Sequence, residues 1–91
     1  MPKFTIANAG NVVVPAYLTL LAKGYTVRHE IHPKTGCETW YAENDSVRLI
    51  GEDPLALLGL AGIAEIRGND WKALDDQIQS FLREFGLEDP S

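Results

Sequence analysis

With 91 residues and a formal net charge of −5, the chain has room for one domain, residues 1–91, and not for two. A hydrophobic share of 45% against 23% charged residues excludes a disordered chain. Cys37 is the only cysteine, which excludes an internal disulfide, so an apolar core must hold the fold. The surplus of acidic residues disfavours nucleic-acid phosphate and anionic membrane as partners, and it serves either plain solubility, the commoner role, or a basic protein partner.

A lone cysteine suits a reducing compartment. The apolar run at 12–22 has only Lys3 ahead of it, is broken by Pro15, Tyr17 and Thr19, and is not followed by a small-residue cleavage pattern. It is therefore not read as a signal peptide. No stretch reaches the roughly 20 apolar residues of a membrane span, and a cytoplasmic location is expected.

In chain order, Lys3–Ile6 suits a short, optional N-terminal strand, and Asn8-Ala9-Gly10-Asn11 is a turn cluster. A first helix is expected from about Val13, with Pro15 tolerated in its opening turn and Gly24 ending it. Val14, Tyr17, Leu18 and Leu21 recur at helical spacing and are expected to form its buried stripe. Residues 25–50 then read as three antiparallel strands. Tyr25, Val27, His29 and Ile31 alternate with Thr26, Arg28, Glu30 and His32, the period of two that a strand requires.

Two turns set the expected register. Pro33-Lys34-Thr35-Gly36 places His32 against Cys37, His29 against Trp40 and Val27 against Ala42. A two-residue turn at Asn44-Asp45 places Glu43 against Ser46, Trp40 against Leu49 and Ala42 against Val47. One face then carries His29–Trp40–Leu49 and Val27–Ala42–Val47. The other carries Arg28–Tyr41–Arg48 and Glu30–Thr39–Ile50. Both turns give the same inside and outside, which a one-residue slip would destroy.

Asp53-Pro54 is an N-cap followed by proline at the first helical position, opening a second helix that runs to about Arg67. That helix is apolar on almost every side and is expected to be buried all round, with close packing at Gly59 and Gly62. Asn69 or Asp70 is expected to cap a third helix. Its stripe of Trp71, Leu74, Ile78, Phe81, Leu82 and Phe85 lies opposite Asp75, Asp76, Gln79 and Arg83, and Gly86 with Leu87 closes it. Residues 1–2 and 88–91 are expected to fray. The expected fold is α+β, in the order (β)-α-β-β-β-α-α, with three helices on one face of a meander and the other face open.

The order α-β-β-β-α over roughly residues 13–67 resembles the double-stranded-RNA-binding domain in topology. That family opens its second helix with a lysine-rich turn that grips phosphates. Here the matching Gly51-Glu52-Asp53-Pro54 is acidic, so the resemblance does not extend to RNA binding. Small toxin domains of bacterial toxin–antitoxin pairs are similar in layout, without a matching motif.

Three chemistries compete for function. His32, Cys37 and Glu30 share one side of the first hairpin and define an enzyme or ligand-binding reading, but a hairpin end offers neither a pocket nor an orienting group. His29 and His32 point to opposite faces and cannot share a metal ion, so His29 is expected to hydrogen-bond within the core. No cofactor and no metal is expected, and no phosphate loop, Cys-x-x-Cys or nucleophile elbow occurs. Arg28 and Arg48 flanking Tyr41 define a nucleic-acid reading, which the acidic charge opposes.

The same residues, extended by Thr39, Ile50 and His32, define a protein-docking face, because Tyr and Arg are enriched at interface hot spots. The expected function is thus a non-enzymatic protein-binding or regulatory domain, an immunity- or antitoxin-like inhibitor of a basic partner being one version. The apolar surplus of the second helix leaves self-association as an added option.

Overall fold

The turn at residues 33–36 sets the sheet. In the computed structural model, which describes residues 3–8 and 10–88, Gly36 has φ +73 and its N–H donates to the His32 carbonyl at 2.9 Å. The His32 N–H in turn donates to the Cys37 carbonyl at 2.8 Å. Strand β1 (Thr26–Ile31) therefore pairs antiparallel with β2 (Glu38–Glu43) in the expected register, Val27 facing Ala42 and His29 facing Trp40.

The second turn differs from expectation. Asn44 Oδ1 accepts from the N–H groups of both Ser46 and Val47, each at 2.8 Å, and the Asn44 N–H donates to the Val47 carbonyl at 3.0 Å. The asparagine side chain thus replaces a backbone turn and widens the loop to Asn44–Val47. Strand β3 (Arg48–Gly51) slides by two residues, so that Glu43 faces Arg48, Ala42 faces Leu49 and Trp40 faces Gly51. Because side chains alternate with a period of two, this shift keeps inside and outside as expected while changing every cross-strand partner.

A short 3-10 turn, Gly10–Val12, leads into α1 (Val13–Ala22). The helix ends at Gly24 as expected, here in a Schellman closure: Gly24, at φ +91, donates to Leu21, and Tyr25 donates to Leu20. Helix α2 (Pro54–Arg67) begins as expected, with the Ala56 N–H donating to Asp53 Oδ1 at 2.7 Å. A Lys23–Glu65 ion pair of 2.7 Å joins the two helices at their rims.

Both helices cover one face of the β1-β2-β3 sheet, and the core between them consists of Leu20, Tyr25, Ala42, Leu49, Leu57 and Ala61. The class is α+β and the helix and strand order is the expected one. Residues 3–8 pair with no strand, so the optional N-terminal strand does not form. The fraying expected of residues 1–2 and 89–91 lies outside the described residues.

Three expectations about burial need correction. In α1 the buried residues are Ala16 and Leu20, while Val14, Leu18 and Leu21 are exposed. A helix apolar on nearly every side gives periodicity nothing to select. Helix α2 buries Pro54, Leu57 and Ala61 but leaves Ile66 87% exposed. Gly59 and Gly62 face open space, and the close approach falls instead at Gly51, where a Cβ would meet Ala56 Cβ at 3.3 Å and Leu57 Cδ2 at 3.4 Å.

The third correction concerns α3 (Asp75–Glu84), which starts after a further 3-10 turn at Gly68–Asp70 and buries none of its residues. Neither Asn69 nor Asp70 caps it; Gln77 Oε1 accepts from the Leu74 N–H at 2.8 Å at the start of the helix. Arg67 holds the incoming segment, donating to the Trp71 carbonyl at 2.7 Å and the Lys72 carbonyl at 3.3 Å. Gly86 and Leu87 close the helix as expected. Helix α3 nevertheless stands clear of the core, so only two helices are packed on the sheet.

Leu57→Ala should lower the unfolding free energy by about 2–5 kcal/mol, since the removed side chain is fully buried. Gly59→Ala should raise it by about 0.5–1 kcal/mol, because the added methyl fills no occupied space and restricts the unfolded chain. Urea titration of both variants checks the pair.

Candidate functional site

The sheet face turned away from α1 and α2 is built by alternate residues of all three strands. Arg28, Tyr41 and Ile50 form its central row, and Thr26, Glu43 and Arg48 the next. Glu30 and Thr39 pair on the hairpin side of the centre. Five of the six docking residues expected from the sequence, Arg28, Thr39, Tyr41, Arg48 and Ile50, thus share this face, though not in the expected rows, and His32 lies just beyond the end of β1. Tyr41 is flanked by Arg28 and Ile50, and Arg48 lies one row away, with its Nε 3.2 Å from Glu43 Oε1. The cause is the two-residue slide at the Asn44 loop.

The Arg28 guanidinium sits 4.0 Å from the Tyr41 ring centroid. Its Nη1 donates to Glu30 Oε1 at 2.7 Å, and the Tyr41 hydroxyl donates to Glu30 Oε2 at 3.4 Å. Cation, ring and carboxylate close a triangle in which each member orients the other two, so the aromatic ring is held rather than free to rotate. Tyr41 is half-buried beneath Arg28, whereas Ile50 on its other side is exposed. A shallow open depression adjoins the pair, bordered by Thr26, Glu43 and Asp45. The face therefore presents a fixed aromatic, an aliphatic neighbour and charges of both signs.

His32 lies at the far end of the hairpin from Arg48. Its Nδ1 accepts from the Lys34 N–H at 3.3 Å, and the neighbouring Cys37 is exposed. Glu30 shares their side of the strand, but its carboxylate is engaged by Arg28 and Tyr41. His32, Cys37 and Glu30 are thus not assembled into an enclosed site. Among the described residues, no group of three or more His, Cys, Asp or Glu side chains converges on a point where a metal ion could sit.

His29 is not a hydrogen-bonded core residue. It is exposed and stacks on Trp40 with ring centroids 4.6 Å apart and planes inclined by 18°. The two short helices end before this part of the sheet, and residues 28–38 are exposed throughout, so the hairpin projects as an arm.

The apolar surplus expected of the second helix lies beside β3. A groove between β3 and the second half of α2 is lined by Val47, Leu49, Leu60, Ile63, Ala64 and Trp71. Its signal was present in the apolar circumference of α2, which exceeds what a three-stranded sheet can cover. No helix among the described residues is long and apolar enough to cross a membrane. Comparison of the chain with protein families, with curated proteins and with solved structures finds no match.

The exposed Cys37 should react with a thiol reagent such as Ellman's in native buffer, releasing one equivalent per chain as fast as in urea. A native rate far above or far below the urea rate would contradict the open hairpin end.

Proposed function

We propose that the chain, residues 1–91 acting as one domain, is a non-enzymatic protein-binding or regulatory module whose uncovered sheet face docks a basic protein partner. The observation that carries this reading is the Arg28–Tyr41–Ile50 row, a held aromatic between a cation and an exposed aliphatic, on a face that no helix covers. Such a row supplies a rigid anchor with little conformational freedom to lose on binding. The net charge of −5 would steer a cationic partner from a distance while the row fixes its orientation.

An inhibitor that covers the basic cleft of a nuclease, as immunity proteins and antitoxins do, is the specific version that suits this charge. A cytoplasmic setting suits a module with one exposed, unpaired thiol.

The test is capture by the tagged chain against capture by the Arg28→Ala/Tyr41→Ala double variant. Both residues lie outside the core, so far-UV circular dichroism should be unchanged. The partner retained by the native chain should be lost at least tenfold, which corresponds to roughly 1.4 kcal/mol. Undiminished capture by the folded variant would move the docking site elsewhere.

A further inference from the structure

We propose that two copies of the chain associate, the apolar stripe of each α3 seating in the groove between β3 and α2 of the other copy. The groove borders the uncovered sheet face at Arg48 and Ile50 and leaves Arg28 and Tyr41 outside it, and the inference does not rest on the function proposed above.

The first observation is that, among the described residues, no side chain of α3 is buried by its own chain, and only Leu82 is partly covered. It is ten residues long, shorter than the roughly 12–15 residues at which isolated helices become even marginally stable in water. Its stripe is nevertheless regular: Leu74, Ile78, Phe81 and Phe85 lie on one side, and all four are exposed. Phe81 and Phe85 pack on each other with ring centroids 5.2 Å apart. A helix of this length with such a face holds its shape only when the face is covered.

The second observation is the amount of surface left bare. The chain exposes 7600 Å², where a folded monomer of this mass exposes about 5,200 Å². Its radius of gyration is 16.4 Å, against about 12 Å for a compact chain of this length. The exposed residues 3–8 account for part of this excess. A standard interface buries about 800 Å² on each partner, so the excess is what a stable dimer would remove.

The third observation selects the occupant. Both halves of a complementary contact are present on one chain: a protruding aromatic stripe on α3 and a mainly apolar groove of about 640 Å³ lined by Leu49, Leu60, Ile63 and Ala64 together with Ser46, Arg48 and Asn69. A two-fold axis that places each stripe in the other copy's groove satisfies both at once and closes the assembly. Charge points the same way. The stripe is uncharged, and Asp76 and Arg83 lie on the far side of α3, so two copies at −5 each can meet without burying like charges. A basic foreign protein would find no acidic residue within the stripe to select it.

Sedimentation equilibrium of the full chain, over a wide concentration range, tests the proposal. The native chain should sediment at twice the mass of one chain. Phe81→Asp in the stripe and Ile63→Asp in the groove should each halve that mass, while Gln79→Asp on the far side of α3 should leave it doubled. Phe81, Ile63 and Gln79 are all exposed, so the core of α1, α2 and the sheet should stay folded in all three variants, with the helical circular dichroism of α3 lost only in the two monomeric ones. Mixing the two monomeric variants restores one intact stripe-in-groove contact and should recover association. A native chain that is monomeric at every concentration overturns the proposal, whether α3 is then covered by its own chain or by a foreign protein. A dimer that survives Ile63→Asp also overturns it, since α3 would then pair with α3 rather than with the groove.

Discussion

The fold depends on a small contact: the packing of α1 and α2 over Ala42 at the centre of the sheet. Ala42, Leu20, Leu57 and Ala61 are all completely buried, and two of the four are alanines. Small side chains at the middle of the sheet and on α2, together with Gly51 beside Leu57, bring the helix axes close to the strands. A close contact between short elements is well packed but narrow. It covers the central rows of the sheet and nothing beyond them.

That narrowness determines which surfaces remain available. The β1–β2 hairpin extends past the helices and carries His29, His32 and Cys37 into solvent. The outer sheet face keeps its arginine, tyrosine and isoleucine row. Helix α3 and the groove beside α2 are left without a cover. The two available surfaces differ in chemistry. The sheet face mixes charge with an aromatic, the composition of an interface that forms and dissolves. The α3 stripe and the groove are apolar, the composition of an interface that persists. A chain that dimerises through the second leaves the Arg28–Tyr41 pair open on both copies, while Arg48 and Ile50 border the filled groove.

Local chemistry was legible in the residues wherever one residue decides one geometry. The Asp53-Pro54 start of α2, the Gly24 and Gly86 helix ends, and the 33–36 turn with its Val27–Ala42 pairing are all of this kind. The alternation along the strands likewise identified the face that carries Arg28, Tyr41, Arg48, Thr39 and Ile50. What the residues did not reveal depends on choices between near-equal options. Asn44 can close a loop of two residues or of four, and its side-chain hydrogen bonds favour four, which separates Arg48 from Tyr41. Helices α1 and α2 are apolar nearly all round, so periodicity could not say that Ala16 rather than Leu18 turns inward. The stripe on α3 was readable, but periodicity shows only that a helix wants one side covered, not which chain covers it.

The central claim is that α3 draws its stability from a second copy and none from its own core. Backbone hydrogen exchange at several protein concentrations measures this element by element. The account predicts that protection of residues 78–85 rises with concentration and falls to that of an unfolded segment on dilution, while β2 stays protected further into the dilution series. Protection of α3 that is high and independent of concentration would contradict it, as would a helix that exchanges freely even in the most concentrated sample.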